Sequence, residues 1–107
     1  MTLERHPALL AEDLPHIYAS IAGDNPSAAE RLLDAVELTF EQLARQPESG
    51  MAYRTRNRKV PDLRMLPVIG FASYLIFYRV EGDAVRMLYV VHGARHLPRL
   101  FRRERRE

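Results

Sequence analysis

The sequence predicts an α+β domain in which a short N-terminal strand and two helices pack on a three- to four-stranded antiparallel sheet. Apolar residues recur at helical spacing in the first half, and two apolar runs joined by a turn signal follow in the second. Helices segregated from a run of strands are typical of this class. With 107 residues the chain is expected to be one domain. Its expected parts are a helical hairpin at 1–50, a sheet at 51–96 and a basic tail at 97–107, which is compatible with a short C-terminal helix.

The first helix is indicated by apolar residues at steps of three and four, the spacing of one helical face. These residues are Leu10, Leu14, Ile17, Tyr18 and Ile21. Proline is tolerated in a first turn but not in a helix interior, so we expect the helix to begin near Asp13 or to kink at Pro15. In the first case Asp13 is the N-cap. Gly23 is expected to adopt the left-handed conformation that commonly follows a helix end.

The second helix has clear boundaries. Asn25 followed by Pro26 is a favourable N-cap with proline at the first helical position, and Pro47 and Gly50 end the segment. Its apolar stripe consists of Ala29, Leu32, Leu33, Val36, Phe40 and Leu43. The opposite side carries Glu30, Arg31, Asp34, Glu37 and Glu41. Two amphipathic helices joined by a short loop predict an antiparallel hairpin with one shared apolar side.

The strands follow a polar loop at 51–62. A short strand at 2–6 and another at 63–68 are expected beside two stronger strands at 72–80 and 84–92. The Gly82-Asp83 pair between the latter two predicts a tight hairpin. Tyr74, Ile76, Tyr78 and Val80 should point to one side, and Leu75, Phe77 and Arg79 to the other.

The same alternation is expected along 84–92. It places Val85, Met87, Tyr89 and Val91 on one face, and Arg86, Leu88, Val90 and His92 on the other. The sheet face away from the helices is either open, closed by the C-terminal segment, or covered by a partner. Arg79, Arg86 and the strand-end group could gather there.

Charge is divided unevenly along the chain. Residues 1–50 hold three Lys/Arg and nine Asp/Glu, a net of −6, whereas residues 51–107 hold thirteen and five, a net of +8. Such a basic half attracts nucleic acid or an acidic protein partner, and charge alone does not distinguish them. The absence of cysteine excludes disulfides and thiolate metal sites. No membrane-length apolar run or signal peptide is recognisable, so the cytoplasm is the expected location.

Two stretches, taken together, resemble one known family. "IFYRVEGDAVRMLYVVHGARHLP" combines an aromatic-rich strand, a Gly-Asp hairpin and a strand that closes in histidine, glycine and arginine. "HIYASIAGDNPSAAERLLDAVELTFEQLARQPESG" provides the matching helical hairpin. From about Leu14 to Pro98 the chain resembles the RelE/ParE superfamily of type II toxin–antitoxin systems, and within it the ParE-like branch.

The resemblance implies a RelE/ParE-like toxin domain that inhibits growth until an antitoxin encoded beside it binds. The antitoxin is expected to contribute a segment that folds on binding, and to lie over the open sheet face and the hairpin. An isolated toxin should then expose an unusually large apolar patch. DNA gyrase is the expected target, and operator DNA is contacted only through the antitoxin. No membrane, cofactor or metal is implied.

Two modes of poisoning are known in the superfamily. RelE-like members are ribosome-dependent mRNA endonucleases, whereas ParE-like members act on DNA gyrase without being enzymes. Metal-free RNA cleavage needs a base, a cation and an acid. RelE-like nucleases supply them with two arginines and a tyrosine, at positions matched here by Leu75, Arg95 and Phe101. Two of the three are apolar, which favours a non-enzyme but leaves the question open.

A nuclease of this sequence would have to use Arg95, Arg79 and His92 as catalytic residues. A third hypothesis is a family member that only binds its antitoxin and tunes repression of its operon. Residues expected to bind target or antitoxin are Arg54, Arg58, Lys59, Arg64, Tyr74, Tyr78, Arg86, Arg95 and Phe101. Some of these residues also have a structural interpretation: the basic loop residues could be solvated, the tyrosines could belong to the core, and Arg95 could pair with a helix acid such as Glu37.

The two histidines at the end of the last strand admit both interpretations as well. His92 and His96 could supply an acid and a base, because histidine titrates near neutral pH. Equally, His92 could be an ordinary strand-end residue and His96 simply exposed. A metal site is disfavoured, since Gly93 argues against the helix that would bring the two imidazoles to one face.

Overall fold

Two helices lie on one face of a mixed sheet in the computed structural model, which describes residues 1–53 and 62–93. Helix α1 spans Leu14–Ala22 and α2 spans Pro26–Arg45, and a π-helical turn, Leu9–Asp13, leads into α1. The strands are β1 Thr2–Arg5, β2 Met51–Ala52, β3 Arg64–Val68, β4 Phe71–Glu81 and β5 Ala84–His92. The predicted α+β class, with a short N-terminal strand before the helical hairpin, is confirmed.

Within the described residues the sheet has five strands in the order β1-β5-β4-β3-β2. Strand β1 runs parallel to β5, from Thr2 beside Ala84 to Arg5 beside Met87, and the other neighbours are antiparallel. The predicted purely antiparallel sheet of three to four strands is therefore corrected to a mixed one. The parallel pair arises because both helices separate β1 from the later strands, and a crossover of that length permits parallel pairing.

The start of α1 agrees with one of the two expectations. The helix begins at Leu14 with Pro15 in its first turn, but Asp13 has helical backbone angles and makes no side-chain cap. Its carboxylate instead accepts a hydrogen bond from the Val90 amide of β5, at 3.1 Å. Gly23 has φ −56° and is right-handed, contrary to expectation. The extended residue Asn25, at φ −152°, makes the turn between the helices instead.

Helix α2 begins and ends as predicted. The Asn25 side chain caps it by accepting from the Ala28 amide at 3.1 Å, and Pro26 is its first residue. The buried side of the helix consists of Ala29, Leu32, Ala35, Val36, Thr39, Phe40 and Leu43. Leu33, predicted as part of the core stripe, is only half-buried and lies outside it. Among the described residues, no helix is long and apolar enough to cross a membrane.

A β-bulge changes the phase of β5. Phe77 is opposite Tyr89, but the next residue, Tyr78, is opposite Met87, so Leu88 is an extra residue in β5. A bulge inserts one residue and reverses the alternation beyond it. The predicted alternation therefore holds through Leu88 and is wrong from Tyr89 onward. Val90 packs on the helix side, and Tyr89 and Val91 join the opposite face.

The sheet has an apolar cluster on each side. The first lies between sheet and helices and includes Leu9, Val36, Phe40, Leu43, Ile76, Tyr78, Val85, Met87 and Val90. The second, on the other face, consists of Leu63, Phe77, Leu88 and Tyr89, each at most 2% exposed. The prediction of a large exposed apolar patch on this face is wrong at these four residues, because the chain itself buries them. The Tyr53 ring contributes by packing edge-on against Phe77, with centroids 5.1 Å apart.

Candidate functional site

Tyr78, predicted as a binding residue, is fully buried and holds the connection between α2 and the sheet. Its hydroxyl accepts from the Gly50 amide and donates to the Pro47 carbonyl, both at 2.8 Å. A Cβ at Gly50 would lie 2.6 Å from Tyr78 Cε1 and 2.9 Å from the Met65 carbonyl oxygen, so this approach requires glycine. Burial raises the pKa of the Tyr78 phenol above its usual value. Tyr78 therefore positions a loop and has no exposed surface for a ligand.

Arg64 belongs to the same arrangement. Its Nη1 donates to the Gly50 carbonyl at 2.9 Å, and it lies opposite Tyr78 in the β3–β4 pairing. Its side chain is on the helix side of the sheet, the side of Leu66, which packs against the first core. Arg64 is thus separated by the sheet from the predicted arginine surface.

Arg79 and Arg86 do come together on the face away from the helices. They are direct cross-strand neighbours in the β4–β5 pairing, and the Arg86 side chain is only 9% exposed. Arg79 Nη2 contacts Glu81 Oε1 at 2.6 Å, and Arg86 Nη1 lies 3.6 Å from Glu4 Oε2. Arg79 Nε is buried and makes no hydrogen bond to the described residues.

Arg79 and Arg86, called the arginine pair below, each contact the carboxylate of a glutamate. Like charges directly across two strands are destabilising, so each guanidinium needs an acidic neighbour. Glu81 is nearly half exposed, and its contact with Arg79 is a surface ion pair, which contributes little stability, whereas the Arg86 side chain that contacts Glu4 is only 9% exposed. Arg79 can therefore exchange the carboxylate of Glu81 for a carboxylate of another molecule.

His92 lies in a different place. A cleft of about 590 Å³ separates α1 from the end of the β4–β5 hairpin. His92 and Tyr74 form one wall and pack edge to face, with ring centroids 5.1 Å apart. The other wall carries Glu12, Asp13, His16, Ser20 and Asp24. The cleft is acidic and lies on the helix side of the sheet. A ligand that contacts Tyr74 and His92 there would therefore be favoured by a positive charge.

Arg79 and His92 cannot share one reaction centre in this fold. Arg79 is opposite Arg86, whereas His92 is opposite Tyr74, so the two positions lie at opposite ends of the β4–β5 pair. Six residues of β5 correspond to about 20 Å. The two side chains also project from opposite faces of the sheet. The predicted catalytic set is thus not brought together by the residues that the structure describes.

The position at which RelE-like nucleases carry their first arginine is apolar and packed. Leu75 is half-buried and contacts the second cluster. A Cβ added at Gly93 would lie 2.7 Å from Leu75 Cδ1, and the Gly93 amide donates to the Ser73 carbonyl at 2.7 Å. Leu75 is therefore used to pack the end of β5.

Several predicted residues lie outside the described ranges. They are Arg54, Arg58, Lys59, Arg95, His96 and Phe101. Glu37, the expected partner of Arg95, forms an ion pair of 2.6 Å with Arg5. Within 1–53 and 62–93, no three His, Asp or Glu side chains come close enough together to hold a metal ion.

Sequence reasoning missed a groove on the outside of the helical hairpin. It has a volume of about 450 Å³ and is lined by Leu10, Leu14, Pro15, Tyr18, Leu33 and Glu37. Leu10 and Leu33 were assigned to the core stripe because their spacing fits it. The available signal was the width of the apolar face on each helix. With Leu10 and Leu33 included, each face is wider than packing against the sheet alone can bury.

The fold is shared with a solved toxin–antitoxin structure. A chain of "Chromosomal ParDE TA system from P. aeruginosa" superposes with a TM-score of 0.70 at 20% identity, covering 86% of this chain and 95% of that one. This similarity shows the fold alone, that of a small α+β domain. The family model described as "ParE toxin of type II toxin-antitoxin system, parDE" matches residues 7–97. The chain therefore belongs to the ParE toxin family of type II toxin–antitoxin systems. No curated protein matches it significantly.

Proposed function

We propose that this ParE-family chain inhibits bacterial growth by poisoning DNA gyrase, and that a cognate antitoxin neutralises it in the cytoplasm. The observation that carries the proposal is the extent of the family match. Residues 7–97 include both helices, the β4–β5 hairpin and the strand end with its histidine and glycine. The match therefore spans both helices and strands β2 to β5, which build most of the candidate surfaces described above, and leaves out only β1 with Glu4.

The placement of the polar residues supports a toxin that acts by binding. Nucleolytic cleavage needs an acid, a base and a cation around one phosphate. Here Leu75 is packed under the strand end, while Arg79 and His92 lie about 20 Å apart on opposite faces. Arg95, the remaining catalytic candidate, would have to act with groups other than these.

The arginine pair is the surface proposed to meet acidic groups of the antitoxin. Its two guanidinium groups already hold the carboxylates of Glu81 and Glu4, which lie at the exposed rim. An antitoxin segment that folds on binding would replace the weak surface contact of Glu81 with Arg79 by a carboxylate of its own. The predicted roles of Arg54, Arg58, Lys59 and Arg95 in target or antitoxin binding are proposed on charge alone.

Induced expression in a bacterial host tests this proposal. Expression alone should arrest growth and activate an SOS reporter, and co-expression of the neighbouring reading frame should relieve both effects. Primer extension on cellular mRNA should show intact messages. Codon-linked cuts in mRNA would instead identify a nuclease. Normal growth with a soluble, monomeric product would favour a chain that only binds its antitoxin.

A matched pair of variants tests the arginine surface. Arg79→Ala should weaken neutralisation, because it removes one of the two groups that hold acidic side chains. Arg31→Ala removes the same charge from an exposed position on α2, remote from the pair, and should leave neutralisation unchanged. Equal effects of the two substitutions would place antitoxin recognition elsewhere.

A further inference from the structure

The cleft between α1 and the end of the β4–β5 hairpin has the size of a small-molecule binding site. Its volume of about 590 Å³ lies within the range of such sites. Asp13, Ile17, Ile21 and Asp24 line it at intervals of four, four and three residues. This spacing is that of one helical face, so the cleft follows α1 along its whole length.

Acidic side chains lie at both ends of this face, and apolar residues lie between them. Glu12 and Asp13 precede α1 and Asp24 follows it, so the helix separates the two acidic ends. Asp24 is eleven positions after Asp13, which corresponds to roughly 16 Å along a helix. The last carbonyl groups of α1 add partial negative charge beside Asp24. A ligand that contacts both ends must therefore be elongated and carry positive charge at each end.

The described residues do not neutralise the acidic groups of the cleft. Among residues 1–53 and 62–93, no lysine or arginine lines it. The Asp13 carboxylate accepts from the Val90 amide, a neutral donor that does not compensate its negative charge. The Asp24 side chain forms neither a hydrogen bond nor an ion pair with the described part of the chain. A cationic ligand would supply the charge that balances these carboxylates.

The middle of the cleft is suited to aliphatic carbon. Ile17 and Val90 line it and are only 6% and 1% exposed, so they form its bottom. Tyr74 and His92 lie on the sheet side, with their ring centroids 5.1 Å apart. Methylene groups pack favourably on such apolar surfaces, and an ammonium group is attracted to the face of an aromatic ring.

We propose that this cleft binds a linear polyamine, a chain of methylene groups that carries ammonium groups along its length and at both ends. One terminal ammonium contacts Glu12 and Asp13, and the other contacts Asp24. The methylene groups between them lie on Ile17 and Val90. A divalent metal ion does not suit the cleft, because it needs several oxygen ligands around one point and the described residues bring no such group together.

Calorimetric titration of the full chain with spermine tests the proposal. Spermine should bind with a stoichiometry of one. Putrescine, a diamine too short to reach both acidic ends, should bind about tenfold more weakly or less tightly still, because it gains only one of the two linked contacts. Mg²⁺ should also bind more weakly than spermine, since it has no methylene chain to cover the apolar bottom. Equal affinity for all three cations at matched ionic strength would indicate unspecific attraction and overturn the proposal.

Two matched pairs of variants locate the site. Asp24→Asn removes one charge from the cleft and should raise the Kd for spermine about threefold. Asp34→Asn removes the same charge from an exposed position of α2 outside the cleft and should leave the Kd unchanged. Ser20→Phe fills part of the cleft without changing its charge and should raise the Kd about tenfold. Ala19→Phe introduces the same ring at an exposed position of α1 outside the lining and is its control.

Amide chemical shifts of the parent chain give a readout that needs no variant. Spermine should shift the amide signals of residues 12–25, 74 and 90–92, which surround the cleft. Shifts confined to the exposed acids of α2, or no saturable shift at millimolar spermine, would overturn the proposal. A cleft variant that affects the Kd no more than its control would overturn it as well. None of these outcomes bears on gyrase poisoning or on neutralisation by the antitoxin.

Discussion

The Tyr78 hydroxyl offers the sharpest test of how the fold holds the loop that follows α2. Tyr78→Phe removes the acceptor of the Gly50 amide and the donor to the Pro47 carbonyl, both 2.8 Å from the phenol oxygen. The ring itself, which is fully buried, stays in place. The substitution therefore isolates two hydrogen bonds from the packing of the aromatic side chain.

The expected loss follows from those two bonds. A net hydrogen bond contributes about 1 kcal/mol, and a buried group left without a partner costs roughly 1–3 kcal/mol. The Gly50 amide is buried and loses its partner, whereas the Pro47 carbonyl is only half-buried and can be hydrated. We expect Tyr78→Phe to lower the free energy of unfolding by roughly 2–4 kcal/mol.

The pH dependence of this difference has a defined sign. Burial raises the pKa of Tyr78 in the folded state above that in the unfolded state. The unfolded state therefore loses the phenolic proton first as pH rises. The stabilisation is fully present below the unfolded pKa of about 10 and is lost above it. The parent chain should lose stability from about pH 10 upward, and Tyr78→Phe should lose less.

Denaturant unfolding monitored by circular dichroism at pH 7 and up to pH 11 measures both effects. Tyr74→Phe is the control, because the Tyr74 hydroxyl forms no hydrogen bond with the described residues and its ring contact with His92 is retained. It should change stability by less than about 0.5 kcal/mol. Equal losses for the two variants, or a gap that does not narrow at high pH, would refute the role assigned to Tyr78.

Three further substitutions test separate parts of the fold by thermal or denaturant unfolding. Gly93→Ala should destabilise the chain by about 1 kcal/mol, because the added methyl group would clash with Leu75. In the double variant, Leu75→Ala should offset part of that loss. If the free-energy changes of the two single variants simply add, the contact is contradicted. Thr39→Val should cost about 1–2 kcal/mol, since the buried Thr39 Oγ1 accepts from the Ile69 amide at 3.0 Å, and an unchanged stability would contradict this. Asn25→Ala should cost about 1 kcal/mol by removing the cap of α2, whereas Asn25→Gly should cost only a few tenths.

The local signals in the chain predicted most of the helical hairpin. Asn25 and Pro26 determined the start of α2 because their preferences are local: a side-chain acceptor and a fixed φ. Gly23 was predicted incorrectly because the preference of glycine for the left-handed region is permissive, and Asn25 turns the chain instead. Asp13 was predicted as a helix cap, but its carboxylate accepts a hydrogen bond from the Val90 amide, in the part of β5 that extends beyond β1. Only the tertiary structure brings these two residues together.

The phase of β5 could not be predicted from its residues. From Met87 to Val91 every side chain is apolar, so both alternations are equally consistent with the sequence. The bulge at Leu88 depends on pairing with β4 and decides that His92 faces the acidic cleft. For this reason the sequence placed His92 and Arg79 near one site, and the fold separates them.

The arginine pair was the part of the site that alternation could predict. Arg79 and Arg86 precede the bulge, counted from the hairpin turn outward, so their cross-strand pairing follows from the Gly82-Asp83 turn. The hairpin groove was missed because helical periodicity shows that a residue is apolar and on a given face, but not whether a neighbouring element covers it. Leu10 and Leu33 have the spacing of core residues, but they line this groove instead of lying in the core.

Incubation of the purified chain with DNA gyrase, supercoiled plasmid and ATP tests the proposed toxic activity most directly. After protein denaturation and protease treatment, the amount of linear plasmid reports trapped cleavage complexes. We predict that linear DNA accumulates in proportion to the added chain, and that pre-incubation with the antitoxin abolishes it. Plasmid that is supercoiled at the normal rate with no linear product would contradict gyrase poisoning, provided that expression of the same chain in cells arrests growth.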